Sequence, residues 1–165
     1  GKPIRPQDEA MLIEQGLTEG NGWSVDLIAT DVSEAAIATA RTGCYSRFEI
    51  QRGLGVAQML RHFEETPDGW QASRQLLGMI RYQTGNLLEG PPPGPPFDLI
   101  LCRNLMIYFD DQAKQRACKE LRGALAQHGR LLLGGGEGTL DPASGLVAAT
   151  HDCALYRLGQ RALAA

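Results

Sequence analysis

Three short apolar runs, each followed by polar residues, constrain the fold of this chain most strongly. They are Trp23–Asp31, Phe97–Cys102 and Arg130–Gly134. Continuous apolar runs of this length are typical of strands buried on both faces of a parallel sheet, whereas half-exposed strands alternate apolar and polar residues. Helical patterns follow the first two runs, at Glu34–Arg41 and Asp111–Gln127. The repeated order of strand and helix predicts an α/β fold with a mainly parallel sheet.

The ends of these elements carry recognisable signals. Ser33 is a good N-cap for the first helix, and Gly43 is expected to close it. Gly129 is expected to end the second helix. The segments Leu146–Thr150 and Cys153–Arg157 predict an antiparallel pair of strands near the C-terminus.

The middle of the chain breaks the alternation of strand and helix. Leu54–Phe63 has helical spacing. Trp70–Ser73 and Met79–Gln83 are typical of short strands, and they flank a turn-like stretch at Leu76–Gly78. The run PPPGPP at 91–96 indicates a stiff connector, because prolines fix φ and donate no backbone hydrogen bond.

Size and composition exclude several classes of protein. A chain of 165 residues with 43% hydrophobic content supports one domain with a real core. The net charge of −3 provides no broad basic face for nucleic acid or an anionic membrane. The longest apolar run is far too short to insert in a membrane, so a cytoplasmic protein is expected. The four cysteines lack metal-binding spacing and are expected to be reduced and mostly buried.

Ligands in such a sheet collect beyond the carboxyl ends of the strands. The residues there are Asp31, Arg103 with Asn104, and the loop Gly134–Glu137. A carboxylate at Asp31 could accept hydrogen bonds from both hydroxyls of a ribose, or it could cap a helix or turn. Arg103 and Asn104 are costly at the end of an apolar strand, so they indicate either a functional site or a structural salt bridge or turn bond.

Other polar and aromatic positions remain ambiguous from the residues alone. Tyr108 could present its hydroxyl to a site or pack as an aromatic core residue. Asn86 and Leu87 could meet the edge and the plane of an adenine. Glu137 could be a functional carboxylate or a solvent-exposed one. No catalytic or metal spacing surrounds any histidine, which favours surface or capping roles at His62, His128 and His151.

The order of these motifs resembles the chemotaxis receptor methyltransferase (CheR) family from Trp23 to about Arg157. The most specific match is the nine-residue segment CRNLMIYFD at Cys102–Asp110. Before it come ATD at 29–31, GCYS at 43–46 and NLL at 86–88, and after it comes a loop containing Glu137.

The resemblance implies a class I S-adenosylmethionine-dependent methyltransferase fold. This fold is Rossmann-like, with a mainly parallel sheet, a terminal antiparallel hairpin and a small inserted β subdomain at 51–83. The resemblance implies that an acidic residue holds the ribose of the cofactor, that its adenine lies near NLL, and that its reactive end lies near CRN. The implied cofactor-binding residues are Asp31, Asn86, Leu87, Cys102 and Arg103, and the implied catalytic residues are Arg103 and Tyr108, with no metal.

The activity implied by the resemblance is transfer of a methyl group from S-adenosylmethionine to glutamate carboxylates of chemoreceptors, with S-adenosylhomocysteine as product. The implied partners are cytoplasmic receptor helices and a receptor C-terminal peptide bound by the β subdomain. The family's first strand, acidic glycine loop and helical N-terminal domain are not matched at Gly1–Glu9. A truncated methyltransferase domain is therefore expected over 1–165. The alternatives are a CheR-like module that binds a receptor or signalling partner without catalysis, and a small-molecule methyltransferase.

Overall fold

The computed structural model of the protein describes residues 10–11, 24–51, 54–137, 139–150 and 154–159. They form two compact units, one within 2–85 and one within 86–165, and each is described by itself. Ala10 and Met11 are helical, and their neighbours on both sides lie outside the described residues. The unmatched segment Gly1–Glu9 also lies outside them. A single methyltransferase domain over 1–165 stays a prediction.

The first unit contains a pair of parallel strands, β1 (Leu27–Asp31) and β5 (Ile80–Thr84). Helix α1 (Glu34–Thr42) follows β1. Its predicted caps are confirmed, because Ser33 Oγ accepts a hydrogen bond from Ala36 N at 3.2 Å and Gly43 takes the left-handed conformation with φ of 65°. A strand followed directly by a capped helix places the carboxyl end of β1 beside the start of α1.

A small antiparallel sheet also belongs to the first unit, in the order β2–β4–β3. Its strands and the neighbouring short helices are β2 (Cys44–Tyr45), α2 (Arg47–Ile50), α3 (Val56–His62), β3 (Phe63–Thr66), β4 (Gly69–Ala72) and α4 (Arg74–Gly78). The sheet begins at Cys44, before the predicted bound of 51, and residues 80–83 pair with β1 instead. The predicted turn at Leu76–Gly78 is wrong. Ser73 Oγ accepts from Leu76 N at 3.3 Å and starts a helix that buries Leu76 completely.

The second unit is a mixed four-stranded sheet in the order β6–β7–β9–β8 with one long helix. Its elements are β6 (Phe97–Cys102), α5 (Asp111–Ala124), β7 (Leu125–Leu133), β8 (Leu146–Ala148) and β9 (Leu155–Leu158). The pair β6–β7 is parallel, and the predicted C-terminal antiparallel pair is confirmed as β8 and β9. The proline run at 91–96 contains neither helix nor strand, as predicted. None of the described helices is long and apolar enough to cross a membrane.

Helix α5 packs the core of the second unit but ends earlier than expected. Its buried face consists of Ala117, Cys118, Leu121 and Ala124. The chain turns into β7 at Leu125, so Gly129 does not end the helix. A Cβ at Gly129 would lie 2.8 Å from Phe97 O, which shows that this glycine permits close approach of β6 and β7. The prediction that β6 is buried on both faces is also wrong, because Leu99 is 56% exposed on this outer strand.

Candidate active site

In the first unit, Asp31 is exposed at the carboxyl end of β1. Its Oδ1 accepts a hydrogen bond from Ser33 N at 2.8 Å, which confirms the turn interpretation for this oxygen. The other oxygen, Oδ2, accepts no hydrogen bond from any described residue. An exposed carboxylate oxygen of this kind can accept a hydrogen bond from a ribose hydroxyl. Ribose binding by Asp31 therefore stays a prediction with which the local geometry agrees.

In the second unit, the residues after β6 form a tight surface turn, Arg103–Tyr108, which we call the site turn. Asn104 has a positive φ of 57°, a conformation that Asn tolerates better than most residues. Met106 is 1% exposed and anchors the turn, whereas Tyr108 is 67% exposed. Arg103 is exposed and makes no ion pair with any described residue, so a structural salt bridge does not account for it. The site turn thus presents a guanidinium and a phenol to solvent.

Glu137 holds the site turn from the loop after β7. Its Oε1 accepts hydrogen bonds from Leu105 N at 2.6 Å and Met106 N at 3.2 Å, and its Oε2 accepts one from Gly134 N at 3.3 Å. The residue is only 9% exposed, so the solvent-exposed interpretation is wrong. The sequence reasoning did not find this role. The available signal was a single carboxylate in a glycine loop directly after a buried strand.

The two loops approach each other closely at Gly134. A Cβ on this residue would lie 3.1 Å from Asn104 N and 3.2 Å from Asn104 Oδ1. Such separations are tighter than ordinary van der Waals contact, so a side chain here would push the loops apart. The glycine therefore allows Glu137 to reach the backbone of the site turn.

Cys102 precedes the site turn and is 6% exposed. Burial is the largest of three causes that together raise the pKa of its thiol to about 12, and the other two are the charges of Glu137 and the neighbouring Cys118. The thiol therefore stays protonated at neutral pH. Because the side chain is in the core, a cofactor contact at this position would be made by the main chain.

Asn86 and Leu87 have local roles in the second unit. Asn86 Oδ1 accepts from Leu88 N at 3.0 Å, and Asn86 Nδ2 donates to Glu89 Oε1 at 3.0 Å. The amide thereby caps the short 3-10 helix Leu87–Glu89. Leu87 is half-buried and packs against the core of this unit. Adenine contacts at both residues stay predictions.

The predictions for the histidines and cysteines have mixed outcomes. His62 is 4% exposed, so a surface role is wrong for it, whereas a capping role stays a prediction, since the residue ends helix α3. His128 is on the surface with Nε2 2.6 Å from Asp98 Oδ1, and His151 lies outside the described residues. Cys102 and Cys118 are free and buried as predicted, whereas Cys44 is free and exposed. Within the described part of the chain, no three His, Cys, Asp or Glu side chains form a group that could hold a metal ion.

Residues 8–145 match the family model described as "CheR methyltransferase, SAM binding domain". The chain is 34% identical over 134 residues to the probable biofilm formation methyltransferase WspC of Pseudomonas aeruginosa, covering 78% of this chain and 30% of that protein. It is 31% identical over 140 residues to a chemotaxis protein methyltransferase of Listeria monocytogenes, covering 84% and 51%. For chemotaxis protein methyltransferase 1 of P. aeruginosa the identity is 30% over 114 residues, covering 68% and 42%. The chain thus spans between 30% and 51% of these relatives' lengths.

Proposed function

Because this chain belongs to the CheR family of methyltransferase domains that bind S-adenosylmethionine, we propose that the protein methylates glutamate side chains of chemoreceptors. The family assignment gives the chain a class I methyltransferase fold. The single observation that carries the proposal is the CheR-like segment CRNLMIYFD. It contains the site turn, which Glu137 binds and which exposes Arg103 and Tyr108.

The chemistry requires positioning more than acid–base catalysis. When bound, the cofactor supplies an electrophilic methyl group on a sulfonium. A glutamate carboxylate with a pKa of about 4.3 is already ionised at neutral pH and needs no general base. Arg103 can hold a carboxylate in bidentate fashion, and the hydroxyl of Tyr108 can donate one hydrogen bond to orient it.

The raised pKa of Cys102 also favours transfer to an external carboxylate. A thiolate is a stronger nucleophile than a carboxylate and would compete for the methyl group. Burial keeps this thiol protonated, with a pKa of about 12. The side chain next to Arg103 is therefore not an acceptor at neutral pH.

The proposed partners are cytoplasmic helices of chemoreceptors and, through the antiparallel sheet of the first unit, a receptor C-terminal peptide. Esterification would convert an acceptor glutamate from −1 to neutral and so change the repulsion between packed receptor helices. The helices beside this sheet expose apolar side chains, with Phe48 68%, Val56 67% and Leu60 65% exposed. Exposed apolar groups of this size are compatible with a protein contact.

The proposal is tested with the full-length protein, S-adenosylmethionine labelled on the transferred methyl group, and a receptor cytoplasmic fragment. We expect label in the receptor as a base-labile ester that disappears when the acceptor glutamates are replaced by alanine. The fragments should come from both chemotaxis and biofilm-signalling receptors, since the relatives carry both kinds of name. Absence of transfer to every fragment, or label in a base-stable product, would contradict the proposal.

Substitution at Tyr108 separates the catalytic role from cofactor binding. Tyr108→Phe removes only the hydroxyl, so turnover should fall while affinity for S-adenosylhomocysteine changes little. Asp98→Asn, an exposed change at the other end of β6, serves as control. Receptor binding without transfer by the wild-type protein would instead support the alternative, a non-catalytic binding module. Methyl transfer without any protein acceptor would support a small-molecule methyltransferase.

A further inference from the structure

The side chain of Glu137 is largely buried and has no cationic partner among the described residues. It is 9% exposed, and the groups that compensate its charge are three backbone N–H donors. Hydrogen bonds to a charged acceptor are about twice as strong as neutral ones, and burying a carboxylate without them is costly. The charge of Glu137 is therefore stabilised by these three hydrogen bonds.

The three donors belong to two loops that are distant in sequence. Leu105 N and Met106 N lie in the site turn after β6, and Gly134 N lies at the start of the loop after β7. Glu137 N also donates to Gly134 O at 3.1 Å, which closes its own loop around the carboxylate. The carboxylate therefore links the two strand ends through main-chain atoms.

We propose that Glu137 is a positioning residue that fixes the site turn, so that Arg103 and Tyr108 face the reacting groups. Both of its oxygens accept backbone hydrogen bonds, so its expected role is to act through the turn and not by touching substrate. It acts instead on the two residues at the centre of the turn, between Arg103 and Tyr108. The catalytic part of this inference rests on the function proposed above.

The first test does not need catalysis. Residue-resolved amide hydrogen exchange in the full-length protein should show Leu105 and Met106 protected in the wild type. In Glu137→Ala their exchange should be at least about tenfold faster, whereas the amide of Leu131 in the core of β7 keeps its protection. Unchanged protection at Leu105 and Met106 would overturn the proposal.

The second test asks whether the held turn matters for turnover. Glu137→Gln keeps one oxygen but places an amide donor against another N–H, so kcat for methyl transfer should fall about tenfold. The acceptor KM and the affinity for S-adenosylhomocysteine should change by a smaller factor than kcat does. Asp98→Asn, an exposed acid-to-amide change in the same unit, should leave kcat unchanged.

A double-mutant cycle distinguishes positioning from simple structural support. If Glu137 acts through Tyr108, then Glu137→Gln should lower kcat less than about threefold in the Tyr108→Phe background. Equal factors in the Tyr108→Phe background and in an Arg103→Lys background would overturn the positioning role, even if the exchange rates change. If the wild-type protein transfers no methyl group, the proposed function fails and the catalytic role of Glu137 fails with it. The exchange result would still decide whether Glu137 holds the turn.

Discussion

At the scale of single residues, Asp31 divides its carboxylate between a turn and solvent. Asp31→Asn retains an oxygen for Ser33 N but loses the charge on the exposed side. We expect the Kd for S-adenosylhomocysteine to rise about tenfold, or ~1.4 kcal/mol, because a charged acceptor for the ribose is lost. Isothermal titration calorimetry measures this change. Asp26→Asn, which affects an exposed pair with Arg81, should bind like the wild type, and an unaltered Kd in Asp31→Asn would refute the assignment.

The buried thiols predict how stability depends on pH. Burial raises the pKa of Cys102 from 9.0 to about 12, and burial followed by the charge of Asp141 raises that of Cys118. The unfolded chain then loses these protons at lower pH than the folded protein, so the free energy of unfolding should fall as pH rises above about 9. Below that pH both thiols are protonated in the folded and the unfolded chain, so the free energy of unfolding is not lowered by their titration.

Denaturant titrations between pH 8 and pH 11 would measure this decline. Cys102→Ala removes one of the two described thiols with a raised pKa, so its decline should be shallower than that of the wild type. The comparison concerns the slope, because the cavity left by the substitution lowers stability at every pH. An equally steep decline in the variant would contradict the assignment.

At the scale of elements, the antiparallel sheet of the first unit depends on Gly69. This residue has φ of +146°, and a Cβ would lie 2.2 Å from Tyr45 O in the neighbouring strand β2. Gly69→Ala should therefore lower the free energy of unfolding by about 2–3 kcal/mol. Gly78→Ala at the end of α4 is the matched control, because apart from its chain neighbours and the backbone of its own helix no atom lies within 4 Å of its added Cβ. Thermal unfolding of the two variants distinguishes them, and equal losses would contradict the explanation.

Local signals predicted some elements well and failed at others. The bounds of β6 follow from an apolar run between prolines and a charged residue, and α1 follows from the caps at Ser33 and Gly43. The end of α5 could not be found in this way. Gly129 predicts a helix stop, but its lack of a side chain instead allows Phe97 O of another strand to approach closely. Such pairing involves residues distant in sequence, which a local pattern does not reveal.

The candidate site shows the same limit. The sequence placed Arg103 and Tyr108 beyond the end of β6, and both are exposed there. It could not reveal that Glu137 binds the backbone between them, because backbone N–H groups carry no side-chain signature. The cap at Asn86 involves only adjacent residues, so a local sequence pattern can indicate it. An adenine contact at Asn86 involves a ligand and is not visible in such a pattern.

At the scale of the whole chain, each unit contains a parallel strand pair whose two strands are distant in sequence. In the first unit Leu27 pairs with Ile80, and in the second Cys102 pairs with Leu133. Parallel pairs need long connections, so both contacts close large loops before they contribute stability. Chains with many such non-local contacts fold more slowly than chains with local ones.

The contact between Glu137 and the site turn therefore has a consequence for the order of folding. Its partners, Leu105 and Glu137, are 32 residues apart, so we expect them to meet only after β6 and β7 have paired. We expect the contact to be absent from the folding transition state, so Glu137→Ala should speed unfolding and leave the refolding rate nearly unchanged. Stopped-flow measurements over a range of denaturant concentrations would test this, and slower refolding would place the contact early. The turn that carries Arg103 and Tyr108 would then form last during folding and be lost first during unfolding.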